Sequence, residues 1–262
     1  MDTRPIGVFD SGLGGLTVLR QMIHLLPRER FVYFGDTAHV PYGSKSAETV
    51  TGYSVAAAEF MAAKKTKLLV VACNTASALS LSEVRRVYPG PVVGVLEPGA
   101  ASALKLTKNG RIGVIGTEAT IRSGAYARQL KKLSPDVRVF ELACPLFVPL
   151  VEEGWWNKKV AELAAREYLS RFKKTEIDTL ILGCTHYPVM KRVIAKVIGK
   201  TVRLVDSAQA AAEAAGLLLG GVKSSGGKSG AKFFSSDDPE RFCRLAKNIL
   251  GFSPGEVKLK KL

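Results

Sequence analysis

Cysteine is scarce in this 262-residue chain: four residues, at positions 73, 144, 184 and 243. No two are close enough for a CxxC metal or redox pair, and so few exclude a disulfide scaffold. Acidic residues are also short. Asp and Glu number 23 against 38 Lys and Arg, a net charge of +15. No apolar run approaches the ~20 residues of a membrane helix. The first residues, Met-Asp-Thr-Arg-Pro, lack the basic-then-apolar pattern of a secretory signal. Reduced thiols and no signal together predict the cytoplasm. The phosphate loop GxxxxGK[ST] does not occur. The glycine-rich turn at 10–15 leads to Thr17 where a dinucleotide fingerprint needs its third glycine. The 25 Gly and 12 Pro follow no triplet period, which excludes a collagen-like chain. With 47% apolar and 23% charged residues, the rest is the mix of a folded protein.

What the chain does have is alternation. Short, β-branched runs at 6–9, 31–34, 68–72, 92–96, 112–115, 137–142, 180–182 and 202–205 are largely apolar, with charged residues only at Arg138, Glu141 and Arg203. Such runs predict strands covered on both faces. Helix-like stretches at 15–26, 46–64, 76–88, 121–132, 158–173, 187–198 and 209–219 separate them. The alternation predicts an α/β fold with mostly parallel sheet. A further strand at 231–235 and a helix at 237–250 follow a Gly/Ser stretch at 220–230, which reads as an exposed flexible loop.

An internal echo refines this. Ile6-Gly7-Val8-Phe9-Asp10-Ser11 is similar to Ile112-Gly113-Val114-Ile115-Gly116-Thr117, and Val71-Ala72-Cys73-Asn74-Thr75 to Leu182-Gly183-Cys184-Thr185-His186. The offsets, 106 and 111 residues, nearly agree. Two pseudosymmetric α/β halves are therefore expected.

Cys73 and Cys184 each end an apolar strand run, and polar residues follow both. In parallel sheets ligands bind beyond the carboxyl ends of strands. A helix N-terminus at that point favours a thiolate and should lower the thiol pKa from about 8.5. Cys144 and Cys243 lack this setting and read as small hydrophobes. Two thiols at equivalent points of two facing halves suit one task. One removes a proton from a carbon while the other returns a proton to the opposite face. Asp10, at the end of the first strand, and His186, two residues past Cys184, are candidates to tune them. Asp36 and Glu152 are further carboxylates of a kind common in turns and caps. His24 reads as a surface residue.

These motifs together resemble one family. The set Asp10-Ser11-Gly12-Leu13-Gly14-Gly15-Leu16-Thr17-Val18, Gly35-Asp36-Thr37 with Pro41-Tyr42-Gly43, Ala72-Cys73-Asn74-Thr75-Ala76 and Leu182-Gly183-Cys184-Thr185-His186-Tyr187-Pro188 is similar to the glutamate racemases of the Asp/Glu racemase superfamily. The resemblance implies cofactor-independent, metal-free interconversion of L- and D-glutamate, supplying D-glutamate for peptidoglycan. It implies Cys73 as the acid/base for the D-enantiomer and Cys184 for the L-enantiomer. It implies that Asp10, Ser11, Tyr42, Gly43, Asn74, Thr75, Thr185 and His186 contact substrate or tune the thiols. Thr117 joins them from the second-half turn, and Glu152 matches the family's Val-Glu-x-Gly segment. His39 falls in a variable stretch and receives no role. By the same resemblance, residues 1–96 with 208–262 form one domain and 97–207 the other, with the active site in the cleft between them, and the chain is a homodimer.

Two rival readings remain at this stage. One is a superfamily sibling acting on another small dicarboxylate such as aspartate. The other is nucleic-acid binding, suggested by the +15 charge. No nucleic-acid motif accompanies that charge. Its paired lysines and arginines, such as Lys131-Lys132 and Lys173-Lys174, read as solvated helix surface.

Overall fold

The computed structural model describes residues 2–220 and 230–262. Two fully parallel sheets organise it. One is four-stranded, with β5 (Arg111–Gly116) between β6 (Arg138–Ala143) and β7 (Thr179–Gly183), and β8 (Arg203–Asp206) beyond β7. The other is six-stranded. There β1 (Ile6–Asp10) lies between β2 (Arg30–Gly35) and β3 (Leu68–Val71), with β4 (Val92–Gly94) beyond β3. Its far edge is built by β9 (Gly230–Ser235) and β10 (Val257–Leu259). Set side by side, β2-β1-β3-β4 and β6-β5-β7-β8 correspond strand for strand. The internal echo of the sequence is thus a topological one.

The central strands are apolar throughout because both faces are covered. Successive residues of a strand point to opposite faces. Ile6 and Val8 of β1 pack into one core with Leu16 and Leu19 of α1 (Leu16–Leu25). Phe9 packs into another with Val50 and Ala57 of α2 (Ala47–Ala63). Both cores exclude water from β1, whose five residues are all buried.

The C-terminal segment returns to the six-stranded half. α11 (Ser207–Leu218) packs against α1 and α5 (Leu96–Leu106), and α12 (Pro239–Leu250) against α1, β9 and β10. The Gly/Ser stretch expected to be a loop lies, for residues 221–229, outside the described residues. Among the described residues no helix is long and apolar enough to cross a membrane.

Several boundaries differ from the sequence expectation, each for a local reason. The strand expected at 92–96 stops at Gly94, and Leu96 opens α5. Pro98 falls in the first turn of that helix, where no backbone N–H is needed. The helix expected at 76–88 is two: α3 (Asn74–Leu79) and α4 (Leu81–Val87). The Ser80 hydroxyl donates to the Ala76 carbonyl at 2.7 Å, a side-chain bond that bends helices. The helix expected at 121–132 is likewise broken into α6 (Glu118–Arg122) and α7 (Ala125–Leu133). Gly124, at φ +61°, supplies the left-handed break. Helices α5 and α8 (Phe147–Glu152) and strand β10 have no counterpart in the sequence expectation. The remaining expected helices appear as α9 (Lys159–Leu169) and α10 (Lys191–Ile198), the latter preceded by a 3₁₀ turn over Tyr187–Met190.

Candidate active site

Cys73 follows β3 and Cys184 follows β7, the equivalent strands of the two sheets. Around β1 the chain connects first to β2 on one side and then to β3 on the other. Such a reversal leaves a crevice beyond the strands' carboxyl ends. The same reversal occurs around β5. The two crevices face each other and enclose one cavity of about 20 Å³. Its walls include Ser11, Tyr42, Gly43, Cys73, Asn74 and Thr75 from the six-stranded half. Thr117, Cys184, Thr185 and His186 come from the four-stranded half, with Val40 and Val148 closing the rim. Asp10 and Glu152 stand one layer behind.

Asp10 is wholly buried and joins the halves. Its Oδ2 accepts from the Gly12 backbone N–H at 3.0 Å, and its Oδ1 from the Thr185 hydroxyl at 3.2 Å. Burial pushes its pKa up, while His186 and the backbone N–H groups of Gly15 and Gly12 pull the other way. On the Cys184 side, His186 Nδ1 lies 3.8 Å from Cys184 Sγ and its Nε2 lies 2.7 Å from Glu152 Oε1. Burial opposes a charge on His186. The bonds to Cys184 and Glu152 outweigh it and hold the imidazole well above its ordinary pKa. Glu152 is held low, because the His186 hydrogen bond and charge exceed its own burial cost. The Nε2–H therefore goes to the carboxylate, and Nδ1–H is left for the sulfur.

Cys73 differs. Its Sγ donates to the Ser11 hydroxyl at 3.6 Å, and it sits at the N-cap of α3. The sequence predicts a lowered thiol pKa here. Instead, burial and the neighbouring Asp10 carboxylate push it up to about 12. The helix N-terminus does act as expected, through the Ala76 N–H, but desolvation is the larger effect. Cys144 is buried in the second-half core, and Cys243 is half-buried with its Sγ 3.8 Å from the Gly255 carbonyl. Neither lines the cavity.

Four residues around the site carry no functional signal in the sequence. Asp36 reads there as a turn residue, yet its buried carboxylate accepts from Tyr42 Oη and Ser236 Oγ, both at 2.7 Å, and so pins the 41–44 loop. His39, given no role, bonds the same carboxylate at 2.8 Å and stacks on Tyr53, away from the cavity walls. Thr120 bonds Thr75 across the cleft at 3.1 Å and Thr117, in its own half, at 2.9 Å. Tyr126 donates to Asn74 at 2.6 Å. Hydroxyls inside amphipathic helices look like core or surface residues until their partners are known. Among the described residues no cluster of three or more His, Cys, Asp or Glu is placed to hold a metal ion.

The closeness of the halves has a steric signature. A Cβ at Gly14 would sit 2.6 Å from His186 Nδ1 and closer still to Thr185 Oγ1. Gly14→Ala should therefore force the halves apart. We expect a drop of roughly 100-fold in catalytic activity with a stability loss of only about 1–3 kcal/mol, since the strain relaxes by opening rather than unfolding. Activity and thermal melts of the purified variant check this.

Comparison with known proteins agrees with this arrangement. Residues 6–215 match the family model described as Asp/Glu/Hydantoin racemase. A glutamate racemase from Geobacter metallireducens is 53% identical over 260 residues, covering 98% of this chain and 96% of that protein. The crystal structure of glutamate racemase from Francisella tularensis in complex with D-glutamate superposes with a TM-score of 0.93 at 38% identity, covering 100% of this chain and 98% of that one. An aspartate racemase homologue from Pyrococcus horikoshii, at 18% identity and a TM-score of 0.61 over 83% of this chain and 99% of that one, shares the fold alone. With a cysteine at the end of each equivalent strand and full-length likeness of this degree, the chain belongs to the glutamate racemases of the Asp/Glu racemase family, a family of isomerases.

Proposed function

We propose that this protein interconverts L- and D-glutamate without a cofactor, using Cys73 and Cys184 as paired acid and base. The observation that carries the reading is the pair of thiols on equivalent strands, opening into one cavity from opposite halves. With L-glutamate, the Cys184 thiolate takes the Cα proton. The electron pair left on Cα delocalises into the carboxylate, and the Cys73 S–H gives its proton to the opposite face. D-glutamate runs the same steps in reverse. A protonated His186, held by Glu152, faces the Cys184 sulfur and stabilises its anion. On the other side the ligand itself supplies the cation. An α-ammonium entering beside Asp10 and Cys73 would offset the like charge that holds the Cys73 thiol near 12. Backbone N–H and hydroxyl groups of Ser11, Gly43, Asn74, Thr75, Thr117 and Thr185 are the donors for the two carboxylates, with Tyr42 packed behind them.

A cavity of about 20 Å³ holds about one water molecule. Glutamate is far larger, so the halves part to admit it and close to exclude solvent. On this reading residues 1–96 with 208–262 move as one domain against 97–207. The family likeness supports a role in supplying D-glutamate for peptidoglycan and a homodimeric assembly. The sparse cysteines support a cytoplasmic setting.

The test is incubation with L-glutamate alone, followed by circular dichroism. Ellipticity decaying to zero supports the reading. A constant signal with glutamate, or decay with aspartate instead, overturns it. The pH profile adds a second check. His186 is charged below its raised pKa and loses that charge as pH rises through it. Glu152→Gln removes one of the groups that raise it. The alkaline limb of kcat/KM should therefore move to lower pH, by about one unit. An unmoved limb would show that Glu152 does not govern this proton.

A further inference from the structure

Asn74 lines the cavity beside Cys73, is buried, and leaves its Nδ2 without a hydrogen-bond partner among the described residues. Its Oδ1 is taken. Tyr126, wholly buried on α7 in the four-stranded half, donates to it at 2.6 Å. An asparagine amide can turn over, exchanging oxygen and nitrogen at nearly equal cost unless its surroundings choose. Turned over, it would present an acceptor to the cavity, and an incoming carboxylate would meet a lone pair. The phenol proton makes the choice. Ser207, at the start of α11 and buried, hydrogen-bonds the same phenol, and because the phenol's one proton goes to Asn74 Oδ1 the Ser207 hydroxyl is the donor. With that proton arriving from Ser207, Tyr126 has its own to give to Asn74.

We propose that Tyr126 is a positioning residue for the racemisation: its hydroxyl locks Asn74 with the NH₂ group facing the substrate carboxylate, and it does so across the cleft, so that the lock forms only when the halves close. The inference rests on the glutamate-racemising reading above. Its geometry is independent of the thiols. Thr75 forms a second seam of the same kind, bonding Thr117 and Thr120 across the cleft at 3.0 and 3.1 Å. The adjacent residues Asn74 and Thr75 are thus both oriented from the opposite half. In an open cleft neither partner is within reach, and the amide is free to turn. Substrate binding and closure are thereby coupled through one phenol.

Tyr126→Phe removes the hydroxyl and keeps the buried ring. Its KM for glutamate should rise roughly fivefold to tenfold, the worth of one hydrogen bond, while kcat changes by less than about twofold. A merely structural tyrosine would not give the second result, read from a double-mutant cycle. If Tyr126 acts through Asn74, the double variant Tyr126→Phe/Asn74→Ala has the KM of Asn74→Ala alone. Independent, multiplying losses overturn the proposal, and so does Tyr126→Phe with the parent KM. Should Tyr126→Phe fail to fold, Ser207→Ala carries the test. A KM rise of about twofold to threefold supports the relay, and an unchanged KM overturns it. A parent protein that leaves glutamate unchanged overturns the underlying reading and the proposal with it. A racemising parent with an indifferent Tyr126→Phe overturns the proposal alone.

Discussion

Cys73→Ala is expected to abolish racemisation from both L- and D-glutamate, and Cys184→Ala to do the same. On the proposed mechanism each thiol is base in one direction and acid in the other, so neither direction survives the loss of either. Positioned acid–base groups contribute ~10²–10⁴-fold each, and inversion needs both, so activity should fall by at least about 10³-fold. Cys144→Ala and Cys243→Ala should stay near the parent rate, because neither sulfur lines the cavity. Serine is expected to fail at either site. Its hydroxyl is a far weaker source of anion than a thiol, and it cannot exploit the His186 partner or the α3 N-terminus as sulfur can. Heavy water reads the faces separately. Product should carry deuterium at Cα from the first turnovers, because the thiol that protonates it exchanges with solvent. The substrate pool should label more slowly, because that requires the first thiol to exchange before reversal. A Cys73→Ala protein that racemises glutamate at the parent rate ends the two-thiol account.

The largest stability effect lies away from the site, at the opposite end of the same strands. Glu29 directly precedes β2 and Lys67 directly precedes β3, on either side of β1. Their side chains pair at 2.7 Å with exposures of only 6% and 7%. Glu29 Oε1 has no partner among the described residues, so the pair is already incompletely satisfied. Lys67→Met would leave a buried carboxylate facing an apolar side chain. Breaking such a pair costs about 3–5 kcal/mol, whereas replacing both members by apolar residues of similar size is often near neutral. Lys67→Met should therefore lower Tm by about 10 °C. The double variant Lys67→Met/Glu29→Leu should recover most of that loss. Equal losses in the single and double variants would mean that packing, not charge, sets the cost. Racemisation at low temperature should be little changed, because the pair touches nothing in the cavity.

The strands were legible because a strand covered on both faces must be apolar at every position. Val8, Val70 and Ile181 announce themselves without any knowledge of their neighbours. The helices were less legible where burial falls on small residues. In α5 the buried positions are Leu96, Gly99, Ala100 and Ala103, which make no apolar stripe in a sequence. In α8 the turn is short and contains Pro149. Ser80 and Gly124 break helices through a hydroxyl bond and a left-handed backbone, where side-chain periodicity continues across the break.

By itself, the sequence determined two matched α/β halves, a thiol at the carboxyl end of one strand in each, and the polar residues following those thiols. These are local properties: apolar runs encode burial, and the residues that end a run are carried to the carboxyl end of its strand. Only the tertiary structure decided the partners and the electrostatics. Thr185 meets Asp10 across 175 residues of chain, Ser236 meets Asp36 across 200, and Tyr126 meets Asn74 across 52. The Cys73 thiol, favoured by its helix N-terminus, is instead held near 12 because burial and Asp10 act on it together. Hydrogen bonds and desolvation depend on distance in space, and two sheets that turn their strands' carboxyl ends to one cleft set those distances, not spacing along the chain.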